Sequence, residues 1–311
     1  MKVAFAAPLI VVSTFGLSVG ALAQEAALMP AFYARANITP VYNNFDHGES
    51  SSEIVSNASR IGLEGDYAFS DSFKLIYQAE YQVNPNDSSF DHFDLSQRNT
   101  FIGFESAFGT VVVGRNDTPG KQLQNGIDLF NDLNGDIKTL FVSEVRAKDS
   151  IHYTSPTKSG FTFSYAAIVD GQDGVSDRLS KSTSASLTYG QGNYLFGVAM
   201  NNNLSGHDSV RFMSRYREGN LQLGLLYENA KTSRGEDSGV FVSASYQMGK
   251  VVFNAQTGSA NQQQEGAVQS SIGIDYEMDS DSKIFTFITK TSADNRMLDN
   301  TQFGVGFEQQ F

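Results

Sequence analysis

Cysteine and tryptophan are absent from the 311 residues, and histidine occurs only four times. Without thiols the chain has no disulfide framework, which suits an exported protein that neither needs cross-links nor risks wrong ones. The histidines, His47, His92, His152 and His207, are scattered, which argues against a zinc or haem centre; no metal and no cofactor are expected. Basic residues are also few: 22 Lys and Arg against 34 Asp and Glu give a net charge of −12 and a pI of about 4.7. Such a chain has no electrostatic reason to bind nucleic acid. Long apolar runs are missing beyond the N-terminus, so no membrane-spanning helix is expected in the rest of the chain.

The one apolar run follows Lys2 and closes on Ala21-Leu22-Ala23, ahead of Gln24 and Glu25. That is the pattern of a secretory signal with an Ala-x-Ala cleavage site near Ala23. The competing reading is a single transmembrane anchor; the well-formed cleavage motif and the scarcity of flanking positive charge favour removal. Residues 1–23 are therefore expected to leave, and residues 24–311 to form one domain.

What is abundant is aromatic and evenly spread. The chain holds 24 Phe and 13 Tyr, yet only 40% of it is apolar and its mean hydropathy is −0.26. A soluble domain would gather its apolar residues into one core; here they fall on every second position along residues 24–311. Tyr33, Arg35 and Asn37 oppose Ala34, Ala36 and Ile38, and Arg60, Gly62, Glu64 and Asp66 oppose Ile61, Leu63, Gly65 and Tyr67. The alternation recurs down the chain, with Phe285 and Phe287 read as outward. It ends on Phe303, Val305, Phe307, Gln309 and Phe311 against Gln302, Gly304, Gly306, Glu308 and Gln310.

One face for lipid and one for water, repeated in segments of about ten residues, predicts an all-β transmembrane antiparallel barrel of about sixteen strands. Its last strand closes on its first, which removes the exposed edges. Short turns, such as 69–72 and 107–109, are expected to alternate strictly with long polar loops. The long ones are placed at 43–57, 84–96, 116–148, 170–180, 201–208, 229–237, 258–267 and 292–299. With no Trp, the interfacial girdles fall to Tyr and Phe.

Residues 116–148 break the period of two for longer than any other stretch, and a loop of that length is usually functional or disordered. It interleaves Asp128, Asp132, Asp136 and Glu144 with Leu129, Phe130, Leu133, Ile137, Leu140 and Phe141, side chains in which disordered segments are poor. The expectation is a third long loop folded inward as a constriction. Its acids would face basic wall residues at Arg35, Arg60, Arg98 and Arg115, with Arg146 at the loop's exit. Each arginine alone also fits a wall residue paired with a carboxylate such as Glu64 or Asp66. Arg211, Arg215 and Arg217 form a second basic strip, read as solvated wall away from the narrowing. Opposed charges across a narrow gap pass small hydrophilic solutes and exclude greasy ones.

The segments Ser59-Arg60-Ile61-Gly62-Leu63-Glu64-Gly65, Arg98-Asn99-Thr100-Phe101-Ile102-Gly103-Phe104, Phe108-Gly109-Thr110-Val111 with Gly114-Arg115, and Asp149-Ser150-Ile151-His152-Tyr153-Thr154-Ser155-Pro156 resemble the Gram-negative general diffusion porins in order and spacing, as does the final strand with its terminal Phe311. The resemblance implies homotrimers in the Gram-negative outer membrane, in contact with its lipid and lipopolysaccharide. It also implies a C-terminal aromatic, Phe311, read by the barrel assembly machinery, and makes Arg35, Arg60, Arg98 and Arg146 positions that are commonly basic. One departure is the loop tip: Asp132-Leu133-Asn134-Gly135-Asp136 stands where enteric members carry Pro-Glu-Phe-Gly-Gly.

The expected function is passive diffusion of ions and small hydrophilic solutes with a mild cation preference. The alternatives are a substrate-specific porin, which would want a lumenal run of aromatics, and a surface adhesin or receptor barrel. No enzymatic activity is expected: a lipid hydrolase would need its Ser/His pair on the lipid face, whereas Ser150 and His152 alternate inward.

Overall fold

The computed structural model describes residues 30–84, 95–169, 181–296 and 299–311. The signal at 1–23 and most of the loops expected at 84–96 and 170–180 lie outside the described residues. Strands follow one another as β1 (Ala31–Phe45), β2 (Ser51–Ser56), β3 (Arg60–Ser70), β4 (Phe73–Val83), β5 (Leu95–Ser106), β6 (Gly109–Asp117), β7 (Arg146–Thr154), β8 (Phe161–Ile168) and β9 (Ser182–Gln191). The series continues with β10 (Tyr194–Leu204), β11 (His207–Glu218), β12 (Leu221–Thr232), β13 (Gly235–Met248), β14 (Val251–Ala260), β15 (Ala267–Glu277), β16 (Ser282–Ser292) and β17 (Asn300–Gln310).

Apart from β2 and β3, which do not pair with each other, each strand pairs antiparallel with its chain neighbours, and β1 pairs with β17 from Arg35↔Gln310 to Phe45↔Asn300, closing the sheet. Both β2 and β3 pair with β1, so they are one strand broken at 57–59, and the barrel has sixteen strands. The break is held from inside: Asn57 Nδ2 donates to Asn37 Oδ1 at 3.0 Å and to Thr39 Oγ1 at 2.6 Å. The loop expected at 43–57 is thus mostly strand.

Two further loops are much shorter than expected. β10 and β11 are joined by Ser205-Gly206, both at positive φ (52° and 83°), the conformation that a two-residue hairpin turn of matching twist requires. Only 233–234 joins β12 to β13. Strands extend through 201–204, 207–208, 229–232 and 235–237, so the strict alternation of long and short connections does not hold. Polar residues at a barrel rim keep the ladder hydrogen bonds without needing apolar alternation, which is why these stretches read as loop.

The outer face is apolar: Ile61, Ile102, Phe104, Phe196, Phe212, Leu225, Ile272, Phe303 and Val305 are all exposed. One strand corrects the expected orientation. In β16, Phe285 and Phe287 are buried (2% exposed each), and Ile284 and Ile288 face out. Both faces of β16 are apolar there, so the sequence does not specify which one is inner. The opposite strand accommodates the rings. A Cβ at Gly304 would lie 2.5 Å from Phe287 Cζ, and one at Gly306 would lie 2.3 Å from Phe285 Cζ.

Candidate functional site: the loop between β6 and β7

Asn116 and Asp117 still pair with Ala147 and Arg146, so the loop proper is residues 118–145. It begins with a helical turn, Pro119–Gln122, capped by Thr118, whose hydroxyl accepts from Lys121 N. Its tip is shaped by two carboxylates that accept main-chain N–H groups. Asp128 accepts from Phe130 N (3.1 Å) and Ile137 N (3.0 Å), and Asp136 from Asp132 N (3.0 Å) and Lys138 N (2.8 Å). Asp128, Asp132 and Asp136 therefore do not share a helical stripe; Asp132 sits at φ 66° in the left-handed region.

The loop lies along the face of the sheet opposite the apolar outer one, crossing strands in order. Gly120 N donates to Ser184 Oγ on β9 (3.0 Å), Arg215 Nη1 on β11 to Asn125 O (3.1 Å), and Gln222 Nε2 on β12 to Gly126 O (2.7 Å). Gln256 on β14 bridges Leu129 N and Gly135 O, each at 2.8 Å, and Phe130 packs edge-on to Phe287 of β16 with centroids 6.4 Å apart. The apolar underside, Leu123, Ile127, Ile137, Leu140 and Phe141, is buried against Met213, Leu226 and Phe241. That burial at about 25 cal/mol per Å² is what fixes a segment lacking regular structure.

The tip then reaches the opposite wall. Asp132 lies 3.4 Å from Arg35 on β1, 3.9 Å from Arg60 on β3 and 3.8 Å from Arg98 on β5. Wall carboxylates share these arginines: Glu80 is 2.7 Å from Arg98 and 3.4 Å from Arg60, and Glu308 is 3.1 Å from Arg35. Among the described ion pairs, Glu80 and Glu308 take the place expected for Glu64 or Asp66. Arg146 instead pairs with Asp117 (2.9 Å), which also holds Lys121 (3.0 Å). Arg115 stands apart, bordering a separate cavity of about 320 Å³ with Arg146 and Lys148.

Of the loop acids, Asp132 alone meets Arg35, Arg60 and Arg98. Asp128 is buried, and desolvation together with the nearby Asp136 carboxylate pushes its pKa up to about 8. Burial likewise raises Glu144 to about 7, against the pull of Arg211.

Arg211 corrects the expectation of a solvated strip. It is fully buried, with Nε 2.5 Å from Glu228 and Nη1 2.6 Å from Glu144, and its guanidinium lies 5.8 Å from the Phe141 ring centroid. The sequence signal that could have found this clamp is a β11 arginine directly opposite a β12 glutamate, Arg211↔Glu228. Beside the tip, a polar cavity of about 580 Å³ is bordered by Arg98, Lys121, Asp132, Lys138 and Arg146.

A closed antiparallel barrel, apolar outside and carrying a charged loop on its inner alternation, defines a membrane barrel of the outer-membrane class. Residues 7–310 match the family model described as Gram-negative porin, and the chain belongs to that family. It is similar to the major outer membrane protein P.IB of Neisseria sicca, 28% identical over 122 residues, a match covering 37% of this chain and 33% of that protein. The chain thus matches about a third of that relative's length. Among solved structures it is similar to the anion-selective porin from Comamonas acidovorans, with a TM-score of 0.73 at 17% identity over 92% of this chain and all of that one. It is also similar to Salmonella typhi OmpF, solved in complex with daunomycin, with a TM-score of 0.75 at 15% identity over 91% and 98% of the two chains.

Proposed function

We propose that the protein is a passive diffusion channel of the Gram-negative outer membrane for ions and small hydrophilic solutes, narrowed by residues 118–145. The observation that carries this reading is the loop's path: it covers the inner side of β9 to β16 and brings Asp132 to Arg35, Arg60 and Arg98 on the other wall. A sixteen-stranded barrel without such a loop would be a wide aqueous hole. The inward aromatics Phe285 and Phe287 are buried beneath Phe130, so they form no aromatic track for a specific substrate.

Cation preference has a weaker source than the acid count promised. Asp128 and Asp136 are buried, the Glu144 side chain is buried against Arg211, and three arginines face Asp132. The preference then rests on the net negative charge as a whole, which salt screens beyond about 8 Å at physiological strength. No catalytic step belongs to this reading. Ser150 Oγ donates to Gly114 O at 2.8 Å and lies 2.9 Å from His152 Nε2, and both residues are buried. Cleavage after Ala23, homotrimer formation, contact with lipopolysaccharide and delivery through the C-terminal Phe311 complete the proposal. Phe311 is 75% exposed, and its N–H donates to Ala34 O at 2.9 Å.

The test is single-channel recording in a planar bilayer under a potassium chloride gradient. Large stable currents closing in three steps, with a small cation-biased reversal potential that shrinks at high salt, are expected. Small or absent current would overturn the channel reading and make the loop a plug.

A further inference from the structure

We propose that Arg35, Arg60 and Arg98 form an oxyanion-binding site that Asp132 occupies from within, so that a small solute oxyanion competes with the loop's own carboxylate. The proposal rests on the channel reading for access to the site.

Three guanidiniums from three strands converge on one carboxylate, yet they hold it loosely. Of the three contacts, 3.4, 3.9 and 3.8 Å, only that from Arg35 Nη1 is a hydrogen bond. Charge-assisted N–H···O bonds close to about 2.7–2.9 Å when the partners are free to approach. Arg98 does so with Glu80, at 2.7 Å. Asp132 comes this close to none of the three, while its own N–H is tied to Asp136 and its backbone stands at φ 66°. A free oxyanion carries no such tether and can meet the guanidinium forks squarely.

Charge and unused donors point the same way. Glu80 and Glu308 balance two of the three arginines, and Asp132 supplies the third negative charge. When Asp132 moves off, the site holds one net positive charge. Arg35 Nε is buried without a hydrogen-bond partner among the described residues, a donor that the internal carboxylate leaves unused. The neighbouring cavity of about 580 Å³, bordered by Arg98 and Asp132, gives both the displaced carboxylate and an entering anion room.

The probe is inorganic phosphate, added in graded amounts to single channels in constant potassium chloride, with the half-blocking concentration as the readout. The native channel is expected to show phosphate-dependent interruption of current. Asp132→Asn removes the competitor and lowers the half-blocking concentration by about tenfold, and Arg60→Gln raises it. Asp132→Ser serves as the second variant if the Asn form does not assemble. An unchanged or higher half-blocking concentration in both Asp132 variants, or no interruption in any form that still conducts potassium chloride, would overturn the site. Absence of potassium chloride current would instead count against the channel reading. Phosphorus NMR line broadening by the detergent-solubilised native protein, lost in Arg60→Gln, then decides the site without a current; no broadening by the native protein overturns it.

Discussion

A guanidinium with no access to water must be neutralised where it stands. Arg211 meets this requirement with one carboxylate from its own wall, Glu228, and one from the loop, Glu144, so the pair across β11 and β12 becomes an anchor for residues 67 positions away. Removing the cation leaves two buried carboxylates facing each other, a loss of about 3–5 kcal/mol for a broken buried pair. Arg211→Met is expected to lower barrel stability by that order in urea unfolding from lipid vesicles. The triple variant with Glu144→Gln and Glu228→Gln should recover most of the loss, since replacing a whole buried ionic group is often neutral. If the triple variant is no more stable than Arg211→Met, the anchor's energy lies in the packing of Arg211 on Phe141 rather than in its charges.

At the scale of elements, the wall and the loop follow different rules, and that decides what could be read in advance. A strand's alternation is local, so Phe303, Val305 and Phe307 declare their face within five residues, and closure of β17 on β1 followed from it. The loop is fixed by contacts far away in the chain. Phe285 and Phe287 turn inward because Phe130, more than 150 positions earlier, covers them and Gly304 and Gly306 leave space; nothing within β16 says so. Arg211 was misread for the same reason, since only the folded loop buries it. Which of Arg35, Arg60, Arg98, Arg115 and Arg146 meet Asp132 depended on where the loop tip came to rest. Phe130 is then the element's hinge point in energy. Phe130→Ala is expected to leave the barrel folded while freeing the tip, seen as faster proteolysis within 128–140 and noisier, larger single-channel currents. Unaltered proteolysis and conductance would mean that Gln256 and the Asp128 cap hold the tip without the ring.

On the scale of the whole molecule, the outer face is not uniform. Near the short-turn end Tyr67, Phe69, Phe73 and Phe104 form a continuous aromatic cluster. Phe69 stacks on Phe73 at 5.5 Å, Phe73 on Phe104 at 5.3 Å, and Tyr67 meets Phe69 edge-on at 5.1 Å. Phe69, Phe73 and Phe104 are exposed on the isolated barrel. Tyr and Phe gather at this level as an interfacial girdle, and rings packed this closely also offer the kind of surface on which association in a membrane relies. In the proposed trimer we place this cluster, on β3 to β5, against the neighbouring barrel. A carboxylate there tests the assembly without touching the lumen. Phe104→Asp is expected to shift the protein from trimers to single barrels in chemical cross-linking and native electrophoresis. Currents would then close in independent single steps of unchanged size, because Asp132 meets Arg35, Arg60 and Arg98 of its own chain. Trimers that persist in Phe104→Asp would move the interface to another part of the wall. A fall in the size of each step would mean that the aromatic cluster supports the barrel's own shape rather than a neighbour.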